Sequence, residues 1–265
     1  MDVPPIHPGP YAPELLVLQG DHRSAHIWDG ELLSQTLCAR RVDDLWDFLR
    51  DRDLHPRVVQ RLQDTGFYRI IQIGRMQLEW ALITALIEQW RPETHTFHLT
   101  IGEATITLQD MELLYGLLVD GMALLTGFRP QDETTSSGAS RMSLTPIRQY
   151  LEVLYPEIAV DAEELHITRY TSWGAAVLAY MYRQMCQASM GTQSDVYGFL
   201  SLLQVWAWEW FLQFQPPLPQ LPPNVAPPFL PLARRWVLRR TLAREYDAHH
   251  NLPLCRDVLD LLEGA

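Results

Sequence analysis

Between Gln77 and Gly121 the spacing of apolar residues changes period, and each change predicts an element. Leu78, Trp80, Ala81, Leu82, Ile83, Ala85, Leu86, Ile87 and Trp90 leave almost no polar side on a helix over about 76–90, so this helix must be buried on most sides. Pro92 stops it. Beyond the stop, Phe97, Leu99 and Ile101 alternate with His98 and Thr100, and Ala104, Ile106 and Leu108 alternate with Thr105 and Thr107. This pattern predicts a β-hairpin over about 96–108, turning at Gly102-Glu103, whose one apolar face meets the helix of Leu82 and Leu86. Thr107 lies three residues before Asp110, which is capping-box spacing, so the second strand should run directly into a helix, LQDMELLY, closed by Gly116.

The remaining chain reads as further helices and linkers. Five prolines in the first 20 residues make 1–20 a proline-rich tail, with Leu15, Leu16, Val17 and Leu18 docking onto the body. Val42, Leu45, Trp46 and Leu49 fall at helical spacing, and Pro56 and Gly66 bracket a second short helix. A polar loop over 129–140 precedes a helix over 146–154, followed by two longer helices over about 172–188 and 195–214. In the last of these, Phe199, Leu202, Leu203, Trp206 and Trp210 form one stripe. Trp208 lies off it and must be covered by the segment beyond Pro216, a second chain or a partner. Eight prolines within 216–231 predict an extended linker, and helices over 232–249 and 253–262 follow. The expected fold is mainly α: a multi-helix core over 21–214 with one small hairpin, a linker over 215–231, and an arginine-rich helical segment over 232–265.

With 265 residues, 47% of them hydrophobic, the chain can bury a sizeable core. No stretch approaches the roughly 20 apolar residues of a membrane helix, and the N-terminus lacks the pattern of a secretory signal, so a soluble intracellular protein without membrane contact is expected. Cys38, Cys186 and Cys255 are too far apart for a CxxC site and are expected to be buried free thiols. A net charge of -11 disfavours a broadly basic nucleic-acid surface, so any DNA or chromatin contact must be local. All 21 basic residues are arginine. Without an ε-amino group there can be no Schiff base, no pyridoxal phosphate anchor and no Walker lysine, and no cofactor is expected.

Three constellations could carry chemistry. His95 and His98 are three apart on a strand and point to opposite faces, which suits an inward or rim His95 and a solvent-facing His98 better than chelation. Arg91, Glu93 and His95 crowd a helix stop, where they could form a satisfied polar network or an acid–base set. No G-x-S-x-G, phosphate-binding glycine loop or metal spacing accompanies them, which favours a structural or partner-binding network and no catalytic residue. Arg234, Arg235, Arg239, Arg240 and Arg244 lie within eleven residues, and the repelling i, i+4 pairs Arg235/Arg239 and Arg240/Arg244 call for acidic partners. With Trp208, residues Arg235, Arg239, Arg240 and Arg244 form a candidate interface; carboxylates of the chain itself, an acidic protein surface or phosphate could meet it.

WRPETHTFHL (90–99), GEATITLQD (102–110) and LLQVWAWEWF (202–211) closely resemble the plant mobile domain, also called aminotransferase-like, of MAINTENANCE OF MERISTEMS-type proteins and their transposon-borne relatives. The resemblance runs from about residue 18 to the C-terminus, and the segment over 232–265 resembles an incomplete end of the domain. The chain has Glu79-Trp80 where the family usually carries an Asp-His pair, and Leu118 where a proline is usual. The resemblance implies a nuclear, non-enzymatic interaction protein acting in transposon silencing, genome stability and meristem maintenance, with a serine/threonine phosphatase-like partner. The alternative is a mobile-element-derived protein with a nucleic-acid-processing or other metal-dependent enzymatic role, whose carboxylates would bind a divalent metal.

Overall fold

A helix that is apolar on nearly every side has to be surrounded, and in the computed structural model of the protein Trp80–Gln89 occupies that place, with residues 81–88 all buried. The structure describes residues 14–39, 53–121, 172–217, 231–237 and 251–262, together with Trp46 and Leu49, both helical. Among them the order is α1 (Arg23–Trp28), α2 (Pro56–Thr65), α3 (Phe67–Ile73), α4 (Trp80–Gln89), β1 (Trp90–Arg91), β2 (Thr96–Leu99), β3 (Gly102–Ala104), α5 (Leu108–Asp110), α6 (Trp173–Ala188), α7 (Leu200–Trp210), α8 (Arg234–Val237) and α9 (Leu252–Asp260). The fold is mainly α with one small antiparallel sheet, and α4 packs against α7, α9 and β2.

The helix α4 begins later than its apolar pattern suggests. Residues 74–79 are not helical, and the buried Gln204 side chain takes over their backbone bonds: Glu79 N–H donates to Gln204 Oε1 at 2.7 Å, and Gln204 Nε2 donates to the Gln77 carbonyl at 2.9 Å. At the other end the chain turns straight into β1, so the hairpin gains a third strand in the order β1-β2-β3. Trp90 pairs with Phe97, Arg91 with Thr96, and His98 with Glu103. Phe97 and Leu99 on β2 are buried as the alternation requires. The hairpin turns at Thr100-Ile101 and not at Gly102-Glu103, which are paired within β3, and the buried Ile106 lies beyond the end of that strand at Ala104. Leu108 and Ile101 depart from the alternation, at 39% and 47% exposed. Leu108 has already entered α5 behind its Thr107 cap, and Ile101 stands in the tight turn between β2 and β3. Thr107 N–H donates to Asp110 Oδ2 at 2.7 Å while Asp110 N–H donates back to Thr107 Oγ1 at 3.2 Å, closing the capping box. The helix then continues as a π-helical turn, Met111–Tyr115, ended by Gly116.

Several boundaries differ from the sequence expectation. The helix expected over 195–214 is Leu200–Trp210, because Gly198 has φ +115° before it and Phe211 is extended after it. Of the N-terminal apolar run only Leu16 is buried, whereas Leu15 and Val17 are exposed. Cys255 is buried as expected, Cys186 is half-buried and Cys38 is exposed, since Cys38 lies on the bridge to Asp195 at the surface. Helices α1 and α3 add to the expected set. Gly66, at φ +81°, ends α2 and starts α3, and a Cβ there would lie 3.2 Å from the Gly116 carbonyl oxygen. The helix over 42–49 apart from Trp46 and Leu49, the loop over 129–140, the helix over 146–154, most of the proline linker, and 238–249 lie outside the described residues.

Candidate functional site

The turn after β1 places Arg91, Glu93 and His95 side by side in sequence and sends each to a different partner. Arg91 is 4% exposed, and its Nη1 donates to His22 Nδ1 at 2.7 Å and to Ser24 Oγ at 3.2 Å. His22 Nε2 lies 2.8 Å from the Trp90 carbonyl, which only accepts, so Nε2 carries the proton and Nδ1 is left to accept. The Ser24 backbone N–H donates to the same Nδ1 at 3.1 Å, making His22 the N-cap of α1. Burial, with the Arg91 guanidinium behind it, pushes the imidazole down to about 3. His22 is therefore neutral near pH 7, with both ring nitrogens engaged. Burial also lowers the Arg91 guanidinium from its ordinary value, and the Glu93 carboxylate opposes that shift.

Glu93 Oε1 accepts the Leu18 N–H at 2.8 Å, fastening the incoming N-terminal segment. His95 is exposed and has φ +56°, a left-handed conformation that histidine tolerates better than most residues. Its ring stacks on Tyr182 of α6 with centroids 5.9 Å apart and planes at 17°, and its carbonyl accepts from Thr105 Oγ1 at 2.9 Å. The Tyr182 hydroxyl donates to the Ile106 carbonyl at 2.5 Å. On β2, His98 is half-buried rather than fully solvent-facing; Nε2 lies 3.1 Å from Thr94 Oγ1 and 3.8 Å from Glu103 Oε1. Burial lowers the His98 pKa, and Glu103 opposes it. Among the described residues no three His, Cys, Asp or Glu side chains are grouped so as to hold a metal ion.

The second candidate lies where residues 231–237 cross α7. Trp208, 4% exposed, is covered by Trp236, with ring centroids 5.4 Å apart. Leu232 and Ala233 donate their N–H groups to the Leu113 and Leu114 carbonyls at 3.1 and 3.0 Å, which seats the segment on the π-helical turn. Glu209 receives three donors there: Arg235 Nε at 2.9 Å, Arg235 Nη2, and Trp236 Nε1 at 2.6 Å. The carboxylate meeting Arg235 thus comes from the chain itself. Arg239, Arg240 and Arg244 lie outside the described residues.

Sequence reading missed His22, Arg23, Glu88, Gln204 and Arg256, the buried or half-buried polar residues on which much of this arrangement rests. Glu88 carries a usable signal, a carboxylate inside a mostly apolar helix, which is rarely buried without a cation.

The family model described as plant mobile domain matches residues 66–144 and 148–264. Among curated relatives, all from Arabidopsis thaliana, the chain is 35% identical to a serine/threonine-protein phosphatase 7 long form homolog over 77% of this chain and 18% of that protein. It is 28% identical to protein MAIN-LIKE 2 over 76% of this chain and 37% of the relative. To protein MAINTENANCE OF MERISTEMS it is 29% identical, over 73% and 50%. The chain therefore spans between 18% and 50% of the length of these relatives. No solved structure matches the chain. With a family match across most of its length, the chain belongs to the plant mobile domain family.

Proposed function

We propose that this chain is a non-enzymatic interaction module that acts in the nucleus, within the transposon-silencing and meristem-maintenance role implied by its family, and that it binds a protein partner of the serine/threonine phosphatase-like type. The observation that carries this reading is the use made of the turn after β1: Arg91, Glu93 and His95 each hold a different part of the fold, Arg91 on α1, Glu93 on the N-terminal segment and His95 on α6. Catalysis by general acid and base needs groups within reach of one reacting atom and titrating near the working pH. The buried histidine nearest Arg91 titrates far below it. A relative named as a phosphatase 7 long form homolog motivates the choice of partner class.

Affinity capture of the tagged chain from plant nuclei, followed by mass spectrometry and reconstitution with the purified partner, tests the proposal. Recovery and direct binding of a serine/threonine phosphatase-like protein is the expected result. A specific stabilisation by a divalent metal ion in thermal melting, with capture of no such partner, would favour the nucleic-acid-processing alternative instead.

A further inference from the structure

Glu88 is the one carboxylate on α4 and is 4% exposed, yet two separate parts of the chain reach it. From the N-terminal side, Arg23 of α1, fully buried, donates Nε to Glu88 Oε1 at 3.3 Å. Its Nη1 and Nη2 bond the Gln193 and Gln35 carbonyls, each at 2.7 Å. From the C-terminal side, Arg256 of α9 holds Glu88 in a fork, Nε to Oε2 at 2.7 Å and Nη2 to Oε1 at 2.8 Å. Arg256 Nη1 also donates to the Leu33 carbonyl at 2.7 Å, so the C-terminal helix grips the N-terminal segment directly as well as through Glu88.

The two parts adhere by different means. Helix α9 buries Leu252, Cys255 and Leu259. The described residues of 14–39 bury only Leu16 and Leu37 among their large apolar side chains, and are held mainly by polar bonds: Arg23 N–H to the Ser189 carbonyl at 2.7 Å, Gly191 N–H to the Asp21 carbonyl at 2.6 Å, and those to Glu88. A polar attachment is strong while dry and weak once wet, because water competes for each donor and acceptor. Arg256 and α9 form part of the cover that keeps Glu88 dry.

We propose that residues 19–39 and α9 form one clasp closed on Glu88, so that loosening either releases the other. Residues 19–39 precede residue 66, where the family match begins, whereas α9 lies within that match. A partner that pulls on or covers one end of the clasp is thereby felt at the other, and linkage makes the coupling reciprocal.

Hydrogen exchange on the full chain tests this, comparing wild type with Arg256→Gln and Arg23→Gln. Arg256 sits at the rim, its side chain 16% exposed, so its replacement removes one cation from Glu88 without removing Arg23, the other. In Arg256→Gln, amides of 19–39 should exchange faster by about 5- to 150-fold, the span of ordinary coupling, while 80–89 stays protected. In Arg23→Gln, amides of 252–260 should respond by the same factor. Faster exchange confined to the mutated segment would overturn the proposal, as would a uniform rise that includes 80–89 in both variants, since Glu88 would then hold the whole core and not a clasp.

Discussion

Phe97 is fully buried between two tryptophans, 4.9 Å from the Trp90 ring edge-on and 5.1 Å from Trp206 stacked, so no small rearrangement can refill its volume. Phe97→Ala should lower stability by about 3–5 kcal/mol in urea denaturation. His22 gives a pH signature. Its pKa falls from 6.5 to about 3 on folding, so between these values the unfolded chain binds a proton that the folded chain refuses. Its contribution is therefore complete above pH 6.5 and is lost as the pH falls towards 3, with a slope of at most about 1.4 kcal/mol per pH unit. His22→Asn, which keeps a capping oxygen, should lose that slope in denaturation curves taken across the window. At this scale legibility follows sequence separation. The Thr107–Asp110 box closes within one turn and can be read directly, whereas Glu88 meets Arg23 and Arg256 across 65 and 168 positions, a pairing that local spacing does not encode.

Among the elements, period and stop signals locate α4, β2, α6 and α7, but their ends are set by tertiary bonds. Gln204 illustrates why: an amide inside an apolar helix satisfies the non-helical strand of chain before α4, so α4 starts at Trp80 although apolar spacing runs on earlier. Gln204→Leu leaves the Glu79 N–H and the Gln77 carbonyl without that partner and should cost about 1–3 kcal/mol for each group left unsatisfied, read as a lower melting temperature. Similarly, β1 was hidden in the tail of the apolar helix, because a two-residue strand has no period of its own. The off-stripe position of Trp208 did announce that something had to cover it, but not that Trp236 would supply the ring and Glu209 the anchor. Deleting residues 232–265 removes both that cover and α9, and should lower the melting temperature and promote aggregation in light scattering; a monomeric product of unchanged stability would make the segment a free arm.

For the whole molecule, an acidic chain whose basic residues are all arginine places its described buried and half-buried cations against its own carboxylates, carbonyls and an imidazole: Arg23 and Arg256 on Glu88, Arg235 on Glu209, Arg91 on His22. The absence of lysine also means that pyridoxal phosphate should give no specific absorbance band with the purified chain and no transamination. In the function we propose, this plant mobile domain holds a protein and does not turn over a substrate. The most direct measurement is calorimetric titration of the purified chain with the phosphatase-like protein recovered from nuclei, run beside an assay of the chain alone on nucleic acid with divalent metal. Saturable binding of the protein with no turnover by the chain alone is the predicted result; metal-dependent turnover by the chain, without binding of the protein, would contradict it.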